Sequence, residues 1–132
     1  MVDVDLRRFV DKERIRAAIR RAETSTDAAI AVSISAHVAG DIHAAALRAL
    51  HARRRSRKRN GGVVEFFVVP SRREFAVVGD AAAHERLGQE TWDDVVATVQ
   101  KYFREGDPTA GLVAGIEEIG RKLAHHFPRD VT

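Results

Sequence analysis

The side chains in this sequence that could do chemistry are few, and most are carboxylates. Asp80 closes the run EFAVVGD, just past a predicted strand end, where open α/β sheets usually place their ligands. There its carboxylate can ligate Ca²⁺ or Mg²⁺, or serve as a general base or nucleophile in phosphate chemistry. The same aspartate is also a favoured N-cap for a short helix AAAHER, and the sequence leaves both roles open. Asp93 and Asp94 follow Trp92 in a first helical turn, where they complement the helix dipole; as second metal ligands they are less expected. Glu65 interrupts an apolar run and is costly there unless paired, so it is expected to face a helix-borne arginine or an exposed position.

Other chemistries find no support. The six histidines, His37, His43, His51, His84, His125 and His126, form no HExxH or other tight ligand spacing. His125 and His126 suit the last turn of a helix. The serines lack a GxSxG context, no phosphate-cradling glycine loop is present, and without cysteine there is no thiolate nucleophile or disulfide.

The charge is uneven. The 132 residues carry a formal +3, but Arg48, Arg53, Arg54, Arg55, Arg57, Lys58 and Arg59 form a block without an acid. With those seven taken from +3, the rest of the chain stands at −4. Phosphate neutralisation would favour nucleic acid there. No aromatic residue lies between His51 and Gly62 and no nucleic-acid-binding module fits, so specific nucleic-acid binding is not expected. Weak affinity for a polyanion or an acidic surface through Arg53, Arg54, Arg55, Arg57, Lys58 and Arg59 is the alternative.

Asp11 is placed to cap a helix through Glu23, with Ile15, Ala18, Ile19 and Ala22 at helical spacing. Residues 28–36 alternate large and small apolar side chains, as a strand does. Asp41 opens a second helix that runs into the basic block. VVEFFVVP, residues 63–70, reads as a central strand covered on both faces. A short turn at 70–73 leads to an antiparallel third strand. Trp92, Val95, Val96, Val99 and Phe103 stripe one helix; Asp107 and Pro108 open the last, striped by Leu112, Ile116, Ile119, Leu123 and Phe127. Gly111 and Gly115 lie one turn apart, where another backbone can come close. The expected fold is α/β, a three-layer α/β/α sandwich whose small mixed sheet combines a parallel crossover with an antiparallel hairpin. One domain is expected over residues 11–128, after an extension at 1–10. The N-terminal residues carry charges throughout and no run approaches a membrane span, so a soluble, cytoplasmic monomer is expected.

In order and motif the chain resembles the TPM domain family. The likeness rests on AETSTDAAIAV, on RNGGVVEFFVVPSRREFAVVGD, and on TWDDVVATVQKYFREGDPTAGLVAGIEEIGRKLAHHFP. It implies an α/β/α sandwich. For function it implies a binding or accessory module, or alternatively a weak metal-assisted acid phosphatase acting on phosphomonoesters. Thr26, Asp80 and Trp92 match the family's positions and are the implied ligand-binding residues, with Asp80 the catalytic and metal candidate. The family's glutamate falls on Ala29 here, so a carboxylate that could ligate a hard cation is a methyl group. No protein or small-molecule partner is named by these residues.

Overall fold

Among the described residues four helices begin on an aspartate, and that repeated device sets the boundaries of the elements. The computed structural model describes residues 10–56 and 62–129. Helix α1 spans Lys12–Glu23, with Asp11 accepting from the Glu13 and Arg14 amides. Strand β1 is Ala29–Ile34. Helix α2, Ile42–Ser56, starts where Asp41 accepts from Ala44 N–H at 3.1 Å. Strand β2, Val63–Val69, passes through a 3₁₀ turn at Pro70–Arg72 into β3, Glu74–Gly79. Helices α3 (Ala81–Leu87) and α5 (Pro108–His126) are opened by Asp80 and Asp107. Helix α4, Gln89–Arg104, follows Gly88, whose φ of 80° makes the tight junction that a side chain would resist.

The sheet order is β1-β2-β3, with β1 parallel and β2–β3 antiparallel. All seven residues of β2 are buried, as a central strand covered on both faces must be. Its alternation sends Val64, Phe66 and Val68 to one core, with Ile30, Val95, Val99, Leu112, Ile116 and Leu123. Val63, Phe67 and Val69 go to the other, with Ile42, Ala46 and Leu50 of α2. The parallel crossover helix therefore covers one face, and α1, α3, α4 and α5 supply the other layer. Among the described residues this is the expected α/β/α sandwich with a three-stranded mixed sheet, and the short helix α3, which the sequence left open, makes five α-helices in place of the four expected.

The α4–α5 contact is close because of glycine. A Cβ on Gly115 would lie 2.6 Å from Val99 Cγ2, and one on Gly111 would lie 2.9 Å from Tyr102 Cβ. Interiors are packed too densely to absorb such atoms without displacement. The aligned pair thus lets two helices approach at the centre of the larger core.

Candidate functional site

Because β3 runs against β1 and β2, its carboxyl end lies beside the amino ends of the parallel strands. Asp80 N–H donates to Val63 O at 3.0 Å, and Ala29 N–H donates to Gly62 O at 2.8 Å. Asp80 is 6 % exposed and its Oδ1 accepts from Ala83 N–H at 2.9 Å, capping α3. At the same edge Trp92 is buried, with its ring against Gly79. A Cβ on that glycine would sit 2.7 Å from Trp92 Cη2. The indole stacks on His84 at 6.0 Å between centroids.

Thr26 is wholly buried. Its hydroxyl lies within hydrogen-bond reach of the Leu123 and Phe127 carbonyls, and accepts from Ala28 N–H at 3.1 Å. An isolated bridge between Thr26 and Pro128, with Asp27 N–H donating to Phe127 O, completes a clasp from the start of β1 to the end of α5. Thr26, Asp80 and Trp92 therefore serve the same end of the sheet, Thr26 and Asp80 by hydrogen bonds to backbone and Trp92 by packing.

Few side-chain oxygens gather at this edge among the described residues. Calcium takes six to eight oxygens. Asp80 is committed to a helix cap, Ala29 offers no oxygen from its side chain, and no group of three or more histidines or acids assembles among the described residues. No helix among them is long and apolar enough to cross a membrane.

The basic block divides. Arg53, on the last turns of α2, turns onto the sheet: its Nε lies 2.8 Å from Glu65 Oε1 and its Nη2 donates to Ser33 Oγ at 3.0 Å. Ser33 donates in turn to Glu65 at 3.1 Å. Glu65 is thus the paired, helix-facing carboxylate that its place in an apolar strand requires. Burial pushes its carboxyl above the ordinary 4.5, against the lowering effect of Arg53 and Ser33. Arg54 and Arg55 continue the helix, and Arg57, Lys58 and Arg59 lie outside the described residues.

At the opposite end of the sheet, where the parallel strands finish, lies a cavity of about 880 Å³ lined by Arg73, Glu74, Phe75, Gln100, Phe103 and Arg104, and closed by Gly106 and Pro108. Phe75 and Phe103 meet at 5.0 Å between ring centroids. The sequence placed Phe103 only as core and Arg73 only in a turn. The available signal was Gln100, Phe103 and Arg104 at i, i+3 and i+4, one face of a helix.

These features define an α/β/α domain with a buried, hydrogen-bonded amino edge and an open cavity at the carboxyl ends of its parallel strands. The TPM domain matches residues 7–122, and the chain belongs to the TPM domain family. It is similar to the solution structure of BA42 from the psychrophilic bacterium Bizionia argentinensis. The TM-score is 0.84 at 27 % identity, covering 99 % of this chain and 91 % of that one. The N-terminal domain of cg2496 from Corynebacterium glutamicum shares the fold, with a TM-score of 0.67 at 20 % identity over 84 % of this chain and 70 % of that one. No curated protein matches the chain.

Proposed function

We propose that this TPM domain works as a non-catalytic binding module. The observation that carries the reading is the state of Asp80. The carboxylate best placed by sequence for metal or phosphoryl chemistry is buried, and its Oδ1 accepts from the amide of Ala83. A nucleophile or metal ligand needs a lone pair aimed at open space. In this reading Thr26, Asp80 and Trp92 act on ligand only indirectly, by holding the sheet's amino edge. The cavity at the far end has the size range of ligand sites and a mixed aromatic and charged lining.

The reading is tested by assaying hydrolysis of p-nitrophenyl phosphate, with and without Ca²⁺ or Mg²⁺, for the wild type and Asp80→Ala. Both proteins should stay at background turnover. The substitution should cost about 1–2 kcal/mol of stability, the usual loss of a helix cap, read from denaturant midpoints. Divalent-dependent turnover that disappears in Asp80→Ala would refute the reading in favour of the phosphatase.

A further inference from the structure

Three features of the cavity set its chemistry. First, Arg73 and Arg104 line it, both exposed, and neither pairs with an acid among the described residues. Second, the one acid in the lining is already neutralised: Glu74 Oε1 lies 2.6 Å from Arg72 Nε, while Arg72 is tethered through Nη1 to Gly40 O at 2.7 Å. Asp107, beyond the rim, spends its carboxylate on Ala110 N–H. Third, Phe75 is only partly buried and brings an aromatic ring to the wall beside the two arginines.

The backbone at Arg73 adds an independent observation. Arg73 has φ 51° and ψ 40°, the left-handed region, and it is the sole non-glycine residue with positive φ among those described. Glycine adopts that conformation without steric cost, and an L side chain does so at a loss. An arginine held there is a stability cost that no ion pair among the described residues offsets, and strain of this kind gathers at ligand sites.

We propose that this cavity binds a small organic anion, a carboxylate or phosphate carried on a flat aromatic body. The anion would lie between Arg73 and Arg104, whose planar forks suit bidentate contact with either group. The ring would stack against Phe75, and the Gln100 amide adds a donor and an acceptor at the wall. The proposal rests on the binding-module reading, and it names the class of ligand.

Amide NMR shifts measured during titration with benzoate, phenyl phosphate and inorganic phosphate test it. Either aromatic anion should shift the amides of Arg73, Phe75, Phe103 and Arg104, saturating with a Kd below about 1 mM; the tighter of the two identifies the anionic group. Inorganic phosphate should bind at least about tenfold more weakly, since it lacks the ring. Arg73→Gly should keep or raise the melting temperature and weaken binding by about tenfold or more, and Arg104→Gln should weaken it similarly. Equal affinity for inorganic phosphate, unsaturable shifts spread over the surface, or undiminished binding in both variants would overturn the proposal. Phenol released from phenyl phosphate by the wild type but not by Asp80→Ala would refute the non-catalytic reading separately, whatever the cavity binds.

Discussion

Trp92→Ala should cost about 3–5 kcal/mol, the range for removing a large buried aromatic side chain. Trp92 is 5 % exposed and fills the space that Gly79 leaves open at the end of β3. Its indole N–H points at His84 O at 3.4 Å, too long to contribute much, so the loss is one of packing. Trp92→Phe should recover a large part of it, because a ring remains against Gly79. Urea unfolding is the measurement, with an unchanged slope showing that the midpoint shift reports stability. A ligand contact without a packing role would leave the midpoint of the unliganded protein where it was. An Ala variant with wild-type stability would therefore return Trp92 to the surface chemistry that its family position implies.

Arg53→Met should be the second large effect, because it strands a carboxylate inside the sheet. Breaking a fully buried ion pair costs about 3–5 kcal/mol. The Arg53 side chain is 42 % exposed while Glu65 is wholly buried, so water relieves part of the loss and about 2–3 kcal/mol is expected near pH 8. Glu65 Oε2 has no hydrogen-bond partner among the described residues, which leaves the site dependent on Arg53 and Ser33.

The pH dependence has a definite sign. The Glu65 carboxyl is raised in the folded protein, so the native state holds that proton more tightly than the unfolded chain does. Its contribution to stability is complete below about 4.5 and is lost as pH climbs through the raised value. Removing Arg53 removes two of the interactions that lower the value, so the decline should extend to higher pH in Arg53→Met. Glu65→Gln should flatten both profiles over that window. The double change Arg53→Met with Glu65→Leu should recover most of the stability, since a packed apolar pair replaces a buried ionic one without an orphan charge. An Arg53→Met variant that loses less than about 1 kcal/mol at pH 8 would show that water, not arginine, satisfies Glu65.

Much of the scaffold was legible because its signals are local. A capping aspartate bonds amides two or three residues away, so Asp11, Asp41 and Asp107 mark their helices in the sequence itself. The β2 run is apolar on both faces and so reads as a covered strand. The Gly111–Gly115 spacing pointed to close helix packing, and α4 supplies the partner. Boundaries were less exact: the alternation over residues 28–36 continues past β1, which ends at Ile34. Apolar alternation persists into a loop, whereas pairing with β2 stops where the two chains diverge.

By itself, then, the sequence determined the order of the longer elements, the caps at Asp11, Asp41 and Asp107, the buried faces of the helices and the family. It also required a cationic partner for Glu65, because a carboxylate in an apolar strand is costly alone. Only the tertiary structure decided which cation that is. It also showed that Asp80 caps a helix at a buried edge, and that Arg73 and Arg104 share a cavity with two phenylalanines. The reason is one of range. Periodicity and capping act within a few residues, while the direction of β3 and the docking of α4 are set by long-range packing, and those two choices bring the two arginines together.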